Sequence, residues 1–236
     1  MPPKVSVIIP ALNEEKNIEA TLKSVRHQDY GGEIELIVAD GHSSDRTVSI
    51  SKKYCNQVVE ETTHTIAAGR QAGARVSHGE LLLYTDADTL VDQQWVRRMV
   101  AAFEDKRVGA VYGFAQPRDT GWLEFYLIGG SALIAAFLLN FIGLDYVSGN
   151  NLAIRKTVFD KIGGFNIYLR TGEDTDIVQR ARKVSQARFA ADAVVHYSMR
   201  RIREWGYPKY LWFHTKNFFM TTFFHKPAKK YEAVRK

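Results

Sequence analysis

Two pairs of acidic residues have the residue types and spacing to do chemistry. Asp86 and Asp88 are separated by one alanine and follow the apolar run Leu81–Tyr84 after a single threonine. Two carboxylates so placed offer hard oxygen ligands near one point, which suits Mg²⁺ or Mn²⁺ bound together with phosphate oxygens and water. The alternative is that either aspartate caps the turn or helix that follows, and one such pair alone favours capping.

The second acidic pair, Glu173 and Asp174, opens a helix-like stretch. Carboxylates at a helix N-terminus are stabilised by the helix dipole, so an ordinary N-terminal cap is one interpretation. The other is catalytic, because a carboxylate facing a cleft can take a proton from an attacking hydroxyl. His196 follows the strand-like run 193–195 and is either a metal ligand or a hydrogen-bonded structural residue.

Strand and helix patterns alternate along the half of the chain that must position these side chains. Residues 4–10, 34–39 and 81–84 are predicted as buried strands. Helices are predicted after Asn13, over 45–54, around Arg70 and over 93–103. This alternation predicts an α/β fold with a mostly parallel twisted sheet and helices on both faces.

Polar side chains end three of the predicted strands at the same edge of the sheet. Glu14, Asp40 and Asp86 each follow an apolar strand. Ligands of parallel sheets bind beyond the carboxyl ends of the strands, so these side chains are expected to share one site. That shared position favours a ligand or metal site over three unrelated caps.

Length and composition fit one domain with a sizeable core. The chain has 236 residues, 45% of them hydrophobic, and a single cysteine, which excludes an internal disulfide and a thiolate zinc cluster. The N-terminus has no charged segment followed by an apolar run, so we expect no signal peptide and a cytoplasmic location. We expect a main domain over 1–200 and a basic aromatic extension over 201–236.

The net charge of +6 is concentrated at the C-terminal end. Residues 196–236 hold ten Lys or Arg against two Glu, interleaved with tryptophan and phenylalanine. Such an end could face an anionic membrane surface or nucleic acid, or could be a solvated tail. The acidic strand edge fits nucleic acid poorly, so we expect no nucleic-acid partner.

Residues 125–144 form a run of twenty residues without a charge, inside a predicted insertion at about 122–146. Its length is that of a membrane span. However, Asp88 precedes the run and Asp174 follows it, and a single crossing would place them on opposite sides of the bilayer. We therefore expect either a buried hairpin broken near Gly129 and Gly130 or in-plane helices in one leaflet, and favour the in-plane helices.

The ordered set of motifs from residue 4 to about residue 200 resembles family-2 glycosyltransferases of the GT-A fold. Each motif alone is common, and the order makes the resemblance specific. The motifs are Val7-Ile-Ile-Pro-Ala-Leu-Asn-Glu14, the Asp40 loop, Gly69-Arg70, Asp86-Ala-Asp88, Gly149-Asn-Asn151 and Glu173-Asp174. The resemblance implies an inverting, metal-dependent hexosyltransferase that uses Mn²⁺ or Mg²⁺ and a UDP- or GDP-sugar donor.

The resemblance also implies a role for each matching residue. Asp174 would be the catalytic base, and Glu173 would support it or contact the sugar or acceptor. Asp88 would ligate the metal, and His196 would be a further ligand. The donor would be bound by Pro10, Ala11, Asn13 and Glu14 around the nucleoside, Asp40 at the base, Arg70 at the diphosphate or base, and Asp86 at the ribose or metal.

The apolar run and the basic aromatic end predict a peripheral or monotopic protein on the inner face of the cell membrane. A lipid-linked acceptor, either a polyprenyl phosphate or a glycolipid, follows as an expectation. Arg200, Arg201, Arg203 and Trp205 only loosely resemble the Gln-x-x-Arg-Trp signature of processive members, since the glutamine is missing. Arginines that face phosphate remain an interpretation of this segment.

Two other functions compete with sugar transfer. A sugar nucleotidyltransferase would carry a glycine-rich, basic loop after its first strand, whereas this chain has Ala11-Leu-Asn-Glu-Glu15 there. A non-catalytic scaffold of the same fold, binding a nucleotide or a membrane, is the second alternative. The four carboxylates at 86, 88, 173 and 174 favour an active enzyme.

Overall fold

The computed structural model describes residues 1–228, so residues 229–236 of the predicted extension lie outside the described part. Within that part, eight strands form one mixed sheet in the order β3-β2-β1-β4-β7-β6-β8-β5. The strands are β1 Val5–Ala11, β2 Ile34–Asp40, β3 Gln57–Glu60, β4 Leu81–Tyr84, β5 Thr89–Val91, β6 Val108–Arg118, β7 Leu152–Arg155 and β8 Gln186–Ser198. The helices are α1 Ile18–Arg26, α2 Thr47–Ser51, α3 Ile66–Val76, α4 Trp95–Ala101, α5 Trp122–Phe125, α6 Ser131–Phe141, α7 Lys156–Lys161, α8 Glu173–Arg182, α9 Arg200–Trp205 and α10 Tyr207–Phe224.

The first four strands in space, β3-β2-β1-β4, are all parallel, as the strand–helix alternation predicts. In-register pairing of β1 with β2 places Ala11 beside Asp40, so the polar ends of these strands meet at one edge. The other half is mixed, because β7 runs antiparallel to both β4 and β6. Two short strands, β3 and β5, lack a continuous apolar run and were missed by the sequence pattern.

Helices cover both faces of the sheet because alternate strand residues point to opposite sides. Val7 and Ile9 of β1 belong to one core cluster together with Trp95 of α4. Ile8 belongs to the other cluster, together with Ile177 of α8. The sheet is therefore fixed from both sides beneath the edge that carries the polar residues.

Asn151 joins several elements near the middle of the fold. It is fully buried, and its Oδ1 accepts a hydrogen bond from Trp95 Nε1 at 2.8 Å. Its Nδ2 donates to the carbonyl oxygens of Phe114 at 2.9 Å and Ala193 at 2.8 Å. Because both amide donors and the acceptor oxygen are hydrogen-bonded within the protein, Asn151 has a structural role and needs no ligand to account for it.

The predicted buried hairpin over the apolar run is wrong. One helix in the described part, Trp122–Phe141, is long and apolar enough to cross a membrane, and little of it is buried. It comprises α5, a π-helical turn over Tyr126–Gly130, and α6, so the two glycines do not break it. Its surface is instead largely exposed.

Both ends of this apolar helix are tied to the sheet domain. Near its start, Glu124 forms an ion pair with Arg203 of α9 at 2.6 Å. Near its end, Asn140 Nδ2 donates to the Tyr112 hydroxyl of β6 at 2.8 Å. Because both ends are held by the rest of the chain, the helix lies along the sheet domain.

Candidate functional site

The ends of β1 and β2 and the loop after β4 border a cavity of about 230 Å³, here called the strand-end cavity. Asp86 and Asp88 form part of its wall. Other residues that line it include Pro10, Ala11, Leu12, Glu14, Gly41, Glu61, His64 and Gly69. The structure thus brings five of the predicted donor and metal residues to one cavity: Pro10, Ala11, Glu14, Asp86 and Asp88.

Asp40 and Asn13 are placed differently from those five residues. Asn13 Oδ1 accepts a hydrogen bond from Ser44 N at 2.8 Å, which joins the loops after β1 and β2. Asp40 is 6% exposed, and its Oδ2 accepts from Ser43 N at 2.9 Å. Its Oδ1 is buried and has no hydrogen-bond partner among the described residues. A buried acceptor without a donor fits a group that is completed by a ligand N–H.

Arg70 of α3 connects the two acidic pairs. Its side chain is 2% exposed, with Nη2 at 2.9 Å from Asp86 Oδ1 and Nη1 at 2.7 Å from Glu173 Oε1. Gly149 makes this geometry possible, since a Cβ there would lie 2.4 Å from the Nη1 and Nη2 nitrogens. Arg70 therefore pairs with one carboxylate of each acidic pair, and its contact with a diphosphate or base stays a prediction.

Asp88 and Glu14 share a second arginine, Arg200 at the start of α9. Arg200 Nη2 lies 2.6 Å from Glu14 Oε1 and 3.1 Å from Asp88 Oδ2. Burial raises the pKa of Asp88 to about 6, and the nearby charges of Asp86 and Glu14 act in the same direction. The sequence marked Arg200 only as part of a segment of arginines that could face phosphate. In the structure it lies just beyond the end of β8, as the aspartates lie beyond β4.

The carboxylates suit a divalent cation only if other ligands complete the shell. No group of three or more His, Cys, Asp or Glu side chains within residues 1–228 is arranged to hold a metal. Asp88 with nearby Asp86 supplies hard oxygens, and a cation held by one or two carboxylates plus phosphate oxygens is the usual arrangement for Mg²⁺. The donor set therefore fits a metal that binds together with a diphosphate.

His196 lies apart from the two aspartates. It is on β8, and its Nε2 is 2.8 Å from Asp92 Oδ1. Its neighbour Tyr197 lines a cavity that also contains Asp88, and successive strand residues point to opposite faces. The structure therefore joins His196 to Asp92, the hydrogen-bonded role that was the alternative to metal ligation.

A larger cavity of about 300 Å³, here called the helix-lined cavity, adjoins the first one. Glu173 and Asp174 of α8 form part of its wall, and α6 and α10 supply another part. The two cavities share Ile66, Asp86, Asp88, Arg170, Arg200 and Arg201. Together they form one cleft that runs from the strand ends, past the aspartates and arginines, to Glu173 and Asp174.

Glu173 and Asp174 sit at the first turn of α8, as their acidic spacing predicts. Asp174 Oδ1 accepts from Thr175 N at 2.7 Å, so this side chain makes a local cap contact as well as lining the cavity. Burial raises the pKa of Glu173 to about 7, assisted by the charge of Asp174. Burial also raises the pKa of Asp174. Glu173 can therefore hold a proton near neutral pH.

Arg170 was not identified from the sequence. It lies in the loop before α8, is exposed, and lines both cavities. With Arg200 and Arg201 it places three cations where the cavities meet. No local sequence pattern marks Arg170, since its position depends on the fold of α8 onto the sheet.

The raised pKa of Glu173 predicts a pH-dependent stability. The folded protein keeps a proton on Glu173 up to about pH 7, whereas the unfolded chain releases it near the ordinary glutamate pKa of 4.5. This contribution to the free energy of unfolding is therefore present at low pH and lost as the pH rises through 7. Glu173→Gln should remove the slope, so its stability relative to wild type should increase from pH 5 to pH 8 in urea unfolding.

Glu80→Gln is the matched control, since Glu80 is an exposed glutamate. It should leave the pH dependence of wild type unchanged. Equal pH slopes for wild type and Glu173→Gln would contradict the assignment of a buried, proton-holding carboxyl.

The sequence comparisons agree with this geometry. The family model described as "Glycosyl transferase family 2" matches residues 6–174. Glycosyltransferase AglE of Haloferax volcanii is 29% identical over 204 residues, covering 81% of this chain and 66% of that protein. The probable glycosyltransferase YdaM of Bacillus subtilis is 29% identical over 195 residues, covering 75% of this chain and 46% of that protein. The chain thus spans about two thirds and about half of these relatives.

Solved structures share the architecture at low sequence identity. The mannosyltransferase PcManGT of Pyrobaculum calidifontis, in complex with GDP-Man and Mn²⁺, has a TM-score of 0.70 at 24% identity, covering 92% of this chain and 61% of that one. Staphylococcus aureus TarS 1–349, in complex with UDP-GlcNAc, has a TM-score of 0.65 at 20% identity, covering 83% and 58%. The fold is therefore the GT-A fold. Because the family model covers well over half of its length, the chain belongs to glycosyl transferase family 2.

Proposed function

We propose that this chain transfers a sugar, with inversion, from a nucleoside diphosphate donor to a lipid-linked acceptor at a membrane surface. The observation that carries the proposal is the continuous cleft, in which Asp86 and Asp88 lie between the strand-end cavity and the Glu173–Asp174 wall. A donor laid along this cleft has its diphosphate beside the aspartates and its sugar in front of α8.

The strand-end cavity binds the nucleoside in this proposal. Pro10 and Ala11 offer an apolar wall. Asp40 is not part of that wall but lies beside Ala11 in the strand pairing, and its buried, unpartnered Oδ1 is an acceptor that a ring N–H of the base would complete. Uracil and guanine both carry such an N–H, so this contact suits either base. The related structures with GDP-Man and with UDP-GlcNAc support a nucleotide-sugar donor of one of these two classes.

Charge around the diphosphate is supplied by the chain and by a metal. Arg170, Arg200 and Arg201 meet the cleft where the diphosphate lies, and preorganised cations stabilise the charge that develops on a leaving phosphate. Asp88, with Asp86, would hold Mn²⁺ or Mg²⁺, which supplies Lewis-acid stabilisation of the leaving diphosphate when bound. The Mn²⁺ in the PcManGT complex supports this choice of cofactor.

Asp174 is the proposed general base. The acceptor hydroxyl oxygen forms a bond to the anomeric carbon, and its proton passes to the Asp174 carboxylate. The bond from the anomeric carbon to the diphosphate oxygen breaks, and the electron pair leaves with the nucleoside diphosphate. Glu173, held by Arg70, fixes the first turn of α8 beside the base.

Two substitutions separate donor binding from transfer. Asp88→Ala should abolish the metal dependence of donor binding, because the hard oxygen ligand is gone. Asp174→Asn should leave donor binding intact and lower transfer about 10²–10⁴-fold, the usual contribution of a general base. Calorimetry with nucleoside diphosphate and Mn²⁺ measures binding, and release of nucleoside diphosphate in the presence of acceptor measures transfer.

Asp192→Asn, an exposed aspartate of β8, is the control and should behave as wild type in both assays. Transfer at the normal rate by Asp174→Asn would show that another group takes the proton. Donor binding without transfer in wild type, across lipid acceptors, would favour the non-catalytic scaffold.

Membrane attachment is supported by the exposed faces of two helices. Ile134 and Leu138 of α6 are both 63% exposed, and Trp212 of α10 is 71% exposed. Exposed apolar surface of this extent marks an interaction site. Lys209 and Lys216 of α10 add positive charge, which suits the anionic cytoplasmic leaflet. The acceptor reaches the cleft from this surface.

Replacing Ile134 and Leu138 with Glu should release the protein from membranes without unfolding it. Flotation with vesicles of anionic phospholipid measures attachment, and thermal unfolding measures folding. Val184→Glu, at an exposed apolar residue away from α6, should still float. Flotation of the double variant would contradict attachment through α6, whereas loss of folding would show that α6 belongs to the core.

A further inference from the structure

We infer that the helix-lined cavity contains a subsite for the apolar chain of an amphiphilic acceptor, held between α6 and α10. This inference rests on the proposed transfer, because it assigns the acceptor end of the same cleft. The subsite is defined by the inward residues of the two helices, Ala132, Ala136, Phe213 and Phe218.

The inward and outward faces of α6 differ in side-chain size. Ala132 and Ala136 lie one turn apart and line the cavity. Ile134 and Leu138, also one turn apart, point outward and are exposed. The small side chains of Ala132 and Ala136 leave space that a chain of methylene groups would fill. Beside them, Phe137 packs against Phe189 of β8, which lines the cavity, with ring centroids 5.4 Å apart.

The facing wall from α10 is aromatic. Phe213 and Phe218 line the cavity, whereas Leu211, Trp212 and Phe219 of the same helix are exposed. Phe114 and Phe189 from the sheet also line the cavity. The polar part of the wall includes Glu173 and Asp174 of α8 and also His214, Asn217 and Thr221 of α10. A molecule that presents a polar head to Asp174 therefore meets carbon surface at the alanines of α6 and the phenylalanines, beside the polar groups of α10.

A lipid chain is the occupant that the surroundings favour. Both helices that enclose the cavity expose apolar residues on their outer faces, so a bilayer in contact with them lies next to the cavity. A volume of about 300 Å³ is at the lower end of small-molecule sites, which suits one chain rather than two. Glycolipids and polyprenyl phosphates both present such a chain.

Alkyl β-D-glucosides of eight to twelve carbons, titrated into the full chain below their critical micelle concentrations, provide the first test. We expect saturable one-to-one binding that tightens about fourfold per added methylene, since each buried methylene contributes about 0.8 kcal/mol. Dodecyl phosphate, titrated in parallel, separates a phosphate head from a hydroxyl head. Affinity that does not depend on chain length would overturn the subsite.

A pair of substitutions at adjacent alanines locates the subsite. Ala136 is 6% exposed and lines the cavity, so Ala136→Trp should fill it and weaken dodecyl glucoside binding at least tenfold. Ala135, on the exposed side of α6, is the matched control, and Ala135→Trp should bind as wild type. Ala132→Trp is a second filling variant if Ala136→Trp does not fold. Equal binding by the filled variant and its control would place the chain elsewhere.

Two further readouts keep this test separate from other effects. The variant with Ile134 and Leu138 replaced by Glu should retain the one-to-one site, because its outward face is not the subsite. Nucleoside diphosphate binding to Ala136→Trp should match that of wild type. Failure of any nucleoside diphosphate to bind wild type would defeat the proposed function, while the glucoside titrations would still decide the subsite.

Discussion

The Arg70 guanidinium lies between Asp86 and Glu173 and holds the two halves of the cleft together. Asp86 follows a strand of the parallel half, whereas Glu173 begins a helix that packs on the mixed half. Two carboxylates brought so close would repel each other and would be costly to bury without a counter-charge. The guanidinium offsets that cost through two directed hydrogen bonds, and Gly149 leaves the space that it needs.

The same constraint sets the chemistry of the acidic groups. Arg70 and Arg200 pair with four acidic side chains between them, so acidic groups outnumber these two guanidiniums before a ligand binds. A diphosphate that binds with a divalent cation can replace these ion pairs, because its phosphate oxygens pair with the arginines and the cation pairs with the carboxylates. Burial raises the pKa values of Glu173 and Asp88 into the range where small changes in surroundings alter their protonation.

The sequence was sufficient for β1, β2 and β4 of the parallel half, though not for β3, and for most of the residues of the strand-end cavity. Apolar runs followed by Glu14, Asp40 and Asp86 predict that these side chains lie at one edge of the sheet, because the carboxyl ends of parallel strands lie together. Asn151 and His196 show the limit of such reasoning. Their partners, Trp95 and Asp92, are distant in sequence, and no local pattern reports which asparagine or histidine will be satisfied by the protein itself.

The sequence favoured an exposed helical segment for the apolar run, but it did not predict that this segment forms a wall of the cleft. Composition predicts the length of the apolar segment. Which side chains of α6 face the cavity and which face outward depends on how the helix packs against β6 and β8. The ties from Glu124 to Arg203 and from Asn140 to Tyr112 decide that rotation. Arg170 was missed for the same reason, since only the folded chain brings it to the meeting point of the cavities.

The measurement that tests the central claim most directly is a calorimetric titration of UDP, GDP and dTDP into the full chain, with and without Mn²⁺. A cleft built for a nucleotide-sugar donor predicts that one of the three binds in a saturable, metal-dependent manner. The nucleotide that binds also identifies the donor class. Absence of binding by all three, in a protein shown to be folded, would contradict the assignment of the strand-end cavity and of the aspartates beside it.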